Sequence, residues 1–268
     1  MNTAKNRSGW RGPLLRLSAL MLVCFVALQL SFVLRVALMR WLAPQSTSFQ
    51  RSEAWRLTFD KPQLHWRQEW VDDAQLPLSL KRAVIASEDA GFTDHSGVEW
   101  DAIEKAWQKN GRAQARAQTQ AQVQAQVLAQ TSAQRQTAAV KKPLVAKVVG
   151  GSTITQQLAK NLFLSGERTA LRKGQEFVIT LALESLLDKH RILEIYLNSV
   201  EWGEGVFGAQ AAARHYFRQP ASRLTVDQAA RLAVMLPAPK RFEKQPTSAY
   251  VLGRAATIAA RMPGVDLP

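Results

Sequence analysis

Residues 17–34, LSALMLVCFVALQLSFVL, carry no charge. No other stretch limits the fold so sharply. At 1.5 Å per residue, a helix of this length spans roughly 27 Å, close to the hydrocarbon thickness of a bilayer. Arg35 can snorkel from its end, and residues 36–42 prolong the apolar segment. A cleaved signal peptide is the competing reading. Against it, the apolar region exceeds an ordinary signal core and no small-x-small cleavage site follows. Met21, Leu22 and Val23, ahead of Cys24, do not form a lipoprotein cleavage site either. The short flank before the span is basic, which places the N-terminus in the cytoplasm and everything after about residue 42 across the membrane. The expected layout is a basic tail at 1–16, a transmembrane helix at 17–39 and a juxtamembrane linker at 40–60. A domain of catalytic size follows at 61–245, with a low-complexity insertion at 111–147, and then a C-terminal tail at 246–268.

The formal net charge is +14. Lys5, Arg7, Arg11, Arg16, Arg35 and Arg40 supply six of those charges, so most of the excess lies beyond the anchor. Such a surface favours phosphates, lipid head groups or nucleic acid. The topology argues against cytosolic nucleic acid. The lone Cys24 excludes an intramolecular disulfide and a cysteine-based zinc site. His65, His95, His190 and His215 are scattered and make no metal-ligand spacing.

Hydrophobic spacing points to a mainly α fold. Leu80, Ala83, Val84 and Ser87 follow helical periodicity, as do Val98, Ala102, Ile103 and Ala106. Further helices are expected over 169–187, 191–199 and 227–236, with Leu193, Tyr196, Leu197 and Val200 on one side of the second of these. No run of alternating strand residues appears. Residues 111–140 break the pattern with repeated Ala-Gln units, high in helix propensity but without an apolar face. No acid occurs between Lys105 and Gly166, so this tract is either a solvated loop or a basic arm for a partner.

The run GGSTITQQLAKNL, residues 150–162, reads as the start of a helix that can hold an anion. Thr153 and Gln156 have the spacing of a capping box. Gly150 and Gly151 let backbone approach a ligand, and a helix start offers free N–H groups to a phosphate. Gln157, Lys160 and Asn161 share a face apart from Ile154, Leu158 and Leu162. The spacing of a nucleotide P-loop is missing.

Two carboxylates stand out. Glu88 ends an apolar helix in SEDAGFTDHSG, and Glu176 follows Arg168, Arg172 and Lys173 at helical spacing. A loop acid and a solvated ion pair explain them equally well. Read as a working pair, the first has a raised pKa and moves a proton, while the second stays ionised among cations beside a phosphate or metal. Paired carboxylates also serve glycosidic-bond chemistry.

Taken in order, these segments resemble the peptidoglycan glycosyltransferases of family 51, in their monofunctional form. SEDAGFTDHSG resembles the first motif, GGSTITQQLAKNL the second and RKGQE the third. RILEIYLNSVEWGEGVFGAQAAARHYF resembles the fourth and AARLAVMLPAPKRF the fifth. The resemblance implies a lysozyme-like glycosyltransferase domain behind one transmembrane helix. It implies polymerisation of lipid II into glycan strands, with inversion at the MurNAc C1 and release of undecaprenyl pyrophosphate. On this resemblance Glu88 is the general base, and Glu176 is the second carboxylate, linked indirectly to a divalent cation (Mg or Mn). Thr153, Gln157, Lys160, Arg168, Arg172 and Lys173 would surround the donor's phosphates. Asp89, Phe92, His95, Gly97, Gly151, Ser152, Gln156 and Asn161 would support the site. No organic cofactor is implied. The expected partners are lipid II, the nascent glycan chain, the membrane, and cell-division or elongation proteins, without nucleic acid. The expected location is the inner membrane, with the catalytic domain in the periplasm.

Two features depart from the family pattern. The Ala/Gln insertion separates the first two motifs widely, and Gln175 stands where some members have lysine. Two rivals remain open on the sequence: a lytic transglycosylase or lysozyme-like enzyme that cuts glycan, and a non-catalytic anchored module for anionic lipids. A transpeptidase domain is not expected, because neither Ser-x-x-Lys nor Lys-Thr-Gly occurs.

Overall fold

The computed structural model describes residues 11–60, 65–100, 152–167 and 169–268, with isolated positions between 104 and 123. Gly151, Arg168, most of the helix expected around 98–106 and the greater part of the insertion lie outside the described residues. The chain forms two compact units, Met1–Gly97 with Ile154–Pro268, and Val98–Thr153. In the second, the described positions between 104 and 123 are helical and exposed.

The first unit is mainly α, as the periodicity predicts. Helix α1 (Arg11–Leu38) contains the uncharged stretch, and α2 (Ser48–Asp60) follows it. The segment expected to be a linker therefore holds a 13-residue helix. Thr47 and Gln50 start it reciprocally: each side chain accepts from the other's backbone N–H, at 3.0 and 2.8 Å. Helix α3 (Leu78–Glu88) buries Leu80, Ala83, Val84 and Ile85. Helices α4 (Ile154–Phe163), α5 (Ala170–Leu186) and α6 (Lys189–Ser199) come next. Thr169 caps α5 through Arg172 N–H, and Asp188 caps α6 through Arg191 N–H.

A short sheet interrupts the helices. Its strands are β1 (Arg67–Gln68), β2 (Glu201–Gly203) and β3 (Val206–Phe207), in the order β1-β3-β2. The first pair is parallel and the second antiparallel. Strands of two or three residues leave no alternation to read, which is why the sequence gives no strand signal. The turn at Gly205 has φ +72°, and a Cβ there would come within 1.9 Å of the His65 carbonyl oxygen. Only glycine fits.

Helices α7 (Ala209–Phe217), α8 (Val226–Met235), the four-residue α9 (Pro239–Phe242) and α10 (Ala249–Arg261) complete the unit. A full capping box between Thr225 and Gln228 begins α8. Ala229, Ala230 and Ala233 let α8 lie close against α3, and α10 packs on both. The stretch expected to be a C-terminal tail thus contributes Val251, Ala255 and Ile258 to the core. A second group forms around α4, which packs on α2, α5 and α6, while α1 lies along α5. Glu88 sits at the C-terminal end of α3, and Glu176 on α5.

Candidate active site

Glu88 is half-buried at the last position of α3. Its hydrogen bonds come from neutral groups. Gln157 Nε2 donates to Oε2 at 3.0 Å, and Ser87 Oγ to Oε1 at 3.3 Å. Tyr196 OH in turn donates to Gln157 Oε1 at 2.9 Å. This bond orients the amide so that its NH2 faces the acid. Burial pushes the Glu88 carboxyl above its ordinary value, against the lowering effect of Gln157 and Ser87, and the neighbouring Asp89 charge adds to the rise. A carboxylate so placed is a stronger base than one in water.

Asp89 does a different job. Its Oδ2 accepts from the Ile154 N–H at 2.9 Å and its Oδ1 from His95 Nε2 at 2.8 Å. The Gly97 N–H donates to His95 Nδ1 at 3.1 Å, which leaves the ring proton on Nε2, facing Asp89. Helix α4 therefore does hold an anion at its start, but for the Ile154 N–H that anion is the chain's own Asp89. This corrects the expectation of a phosphate on that N–H. The α4 helix begins at Ile154, directly after the cap position that Thr153 was expected to fill.

The loop between Asp89 and Gly97 is fixed by packing. Phe92 is fully buried, with the Lys189 ammonium 4.5 Å from its ring centre. Lys189 also donates to the His95 carbonyl oxygen and to Glu184. Gly97 has φ +81°, and a Cβ would come within 2.7 Å of Thr180 and Glu184. Thr155 Oγ1 donates to Glu184 Oε1 at 2.5 Å, tying α4 to α5.

Glu176 is buried and gripped by cations. Arg172 Nη1 lies 2.7 Å from its Oε2, and Lys173 Nζ contacts Oε1. The two acids are thus placed oppositely, one among neutral donors and one between positive charges. Both Glu176 oxygens are engaged, and Asp89 commits both of its own. With Arg172 and Lys173 already on it, Glu176 is poorly placed for direct ligation of a divalent cation. On α4, Gln156 and Asn161 are buried and Lys160 is exposed, while Ser152 ahead of it is exposed and Thr153 buried.

Tyr196 and Ser87 are the contributors that sequence reasoning missed. The helical spacing places Tyr196 on the apolar side of its helix, where it is fully buried. The overlooked signal is the phenol itself, since a buried tyrosine hydroxyl needs a partner.

Glu201 stands off from both acids, on β2. It is buried, 3.4 Å from Lys240 Nζ, and its Oε1 has no hydrogen bond. Burial raises its carboxyl from 4.5 to about 7. Lys240 meanwhile holds Glu53 at 2.5 Å, and Glu53 also accepts from Arg56 at 2.9 Å.

The sequence profile of the Transglycosylase family matches residues 58–145 and 132–263, two segments that overlap within the Ala/Gln insertion. The chain belongs to this family. The biosynthetic peptidoglycan transglycosylase of Paraburkholderia phytofirmans is 45% identical over 269 residues, covering 99% of each chain. That of Burkholderia vietnamiensis is 49% identical over 244 residues, 91% of this chain and 87% of the relative. That of Burkholderia thailandensis is 50% identical over 244 residues, 91% and 83%. The chain is a peptidoglycan transglycosylase, an enzyme of the glycosyltransferase class, and among the described residues one helix is suited to membrane anchoring.

Proposed function

We propose that the chain polymerises lipid II, the undecaprenyl-pyrophosphoryl disaccharide-pentapeptide, into glycan strands on the outer face of the inner membrane. Its N-terminus would lie in the cytoplasm and its catalytic domain in the periplasm. Glu88 takes the proton from the acceptor's GlcNAc 4-hydroxyl. That oxygen attacks C1 of the donor's MurNAc from the face opposite the leaving group, so the configuration inverts. The C1–O bond to the pyrophosphate breaks, and its electron pair leaves with the lipid. Negative charge grows on the pyrophosphate, where the cations of α5, with Lys160, Thr153, Gln157 and Arg168, stabilise it.

The observation that carries this reading is the contrast between the acids. Glu88, among neutral donors, is suited to move a proton. Glu176, between Arg172 and Lys173, keeps two cations ordered beside the leaving group. A divalent cation fits better against substrate phosphates than on Glu176, which already faces two cations, and no step is routed through it. The raised Glu88 carboxyl would also serve an acid that cleaves glycan. Such an enzyme has no use for the cation cluster.

The test uses detergent-purified full-length chain with labelled lipid II and a divalent cation. Wild type should yield glycan ladders, and Glu88→Gln should lose roughly 100-fold or more in rate. Ladders undiminished in Glu88→Gln would refute the base assignment. Fragments released from isolated cell walls, with no polymer, would favour the lytic enzyme.

A further inference from the structure

The first half of α1 behaves as a lipid-facing rod: every residue from 12 to 28 is exposed. From Gln29 onward one stripe turns inward. Gln29 and Phe32 are half-buried, and Val36 and Met39 are buried, at spacings of three, four and three residues. That is the repeat of a helix seam. The Phe32 ring meets Phe163 edge-on at 5.3 Å, and the Arg35 guanidinium lies 4.8 Å from the centre of the same ring. Arg191 Nε donates to the Met39 carbonyl oxygen at 2.8 Å. The outer half of the anchor is thus built into the catalytic domain.

Gln29 is the one amide side chain within residues 17–34. It donates to Gln175 Oε1 at 3.0 Å and accepts from Gln175 Nε2 at 2.9 Å. The pair lies roughly 7 Å inside the outer end of the apolar stretch, counting 1.5 Å per residue. Hydrocarbon offers an amide no alternative partner, so each side chain holds the other in place. On α5 the neighbouring residue is Glu176, turned about 100° around the helix, with Arg172 and Lys173 one turn back. Whatever fixes the rotation of α5 against α1 also fixes where those charges stand relative to the bilayer surface. Leu171 and Val178 on the same helix are exposed and add nothing to that seat.

We infer that Gln29 is a positioning residue: its reciprocal amide pair with Gln175 seats α5 on the anchor and sets the depth at which the Arg172–Lys173–Glu176 group meets a lipid-linked pyrophosphate. The inference rests on the lipid II reading above. It assigns the anchor a part in substrate placement through a single side-chain pair.

The test places the full chain in bilayer nanodiscs and compares wild type, Gln29→Leu, Gln175→Leu and the double variant, with lipid II as substrate. Each single variant leaves one amide orphaned in hydrocarbon. It should raise KM roughly three- to ten-fold while kcat holds and the thermal midpoint falls only slightly, by the cost of one orphaned amide. The double variant replaces the pair by two apolar groups and should return to within about two-fold of wild type. Single variants with unchanged KM would overturn the inference. So would KM, kcat and thermal midpoint all worsening together in the singles and the double, because that pattern marks a folding role. A wild type that makes no polymer would sink the lipid II reading instead. The contact itself is then tested by joining Gln29→Cys to Gln175→Cys in a Cys24→Ser background: an oxidative cross-link supports the seat, and its absence overturns it.

Discussion

Replacing Glu201 by glutamine is expected to stabilise the protein, and chiefly at neutral pH and above. Glu201 is only 6% exposed, and its carboxyl is raised from 4.5 to about 7 by burial. A carboxyl with a raised folded-state pKa holds its proton more tightly folded than unfolded. Its contribution is therefore most favourable below 4.5 and is lost as pH rises toward about 7. At about 1.4 kcal/mol per pKa unit, the ionised group costs about 3 kcal/mol above pH 7 and less than about 1 kcal/mol at pH 5. Glutamine keeps the shape and removes the charge, and Lys240 keeps Glu53 as its partner at 2.5 Å. Thermal unfolding of detergent-solubilised protein measures the effect. The Glu201→Gln variant should melt roughly 5–10 °C above wild type at pH 8.5, with most of that gain gone at pH 5. An equal gain at both pH values, or a loss at pH 8.5, would refute the reasoning that burial outweighs the Lys240 charge at that carboxyl.

Two further outcomes follow from the hydrogen bonds around the site. Gln157→Leu removes a bond that favours ionised Glu88, so the acid limb of the kcat/KM profile should move to higher pH; a limb that stays put or moves lower contradicts the assigned link. Asp89→Ala strips α4 of the acceptor for its Ile154 N–H and His95 of its partner, and should cost about 1–3 kcal/mol, read as a lower thermal midpoint.

Helices α3, α5, α6 and α8 were legible because each buries a stripe of apolar residues at helical spacing. Helix α2 was not. It buries Gln50 and Glu53 along with Leu57, and such polar residues give no apolar period. Gln50 is satisfied by its cap partner and the Ser199 carbonyl oxygen, contacts that exist only after folding. The reciprocal Thr47–Gln50 spacing was the one local sign of that helix. In the site, the context of Glu88 and Glu176 already separated their environments. Asp89 supports the site as its place beside Glu88 suggests, but its bond to the α4 start was not legible: a helix start looks equally ready for a phosphate or for a carboxylate 65 positions away, and only the fold decides.

That long-range bond has an entropic consequence. Asp89 and Ile154 meet across 65 positions of chain, with His95 and Gly97 bound into the same knot. The excursion between them thus leaves and re-enters the domain at nearly one point. For a flexible loop, closure becomes dearer only with the logarithm of length, about 0.6 kcal/mol per doubling, so a tie at its root matters more than its span. Tied at this one point, the helices that carry Glu88 and Glu176 are joined directly to each other's neighbourhood rather than through the residues that lie between Gly97 and Ile154 in the chain.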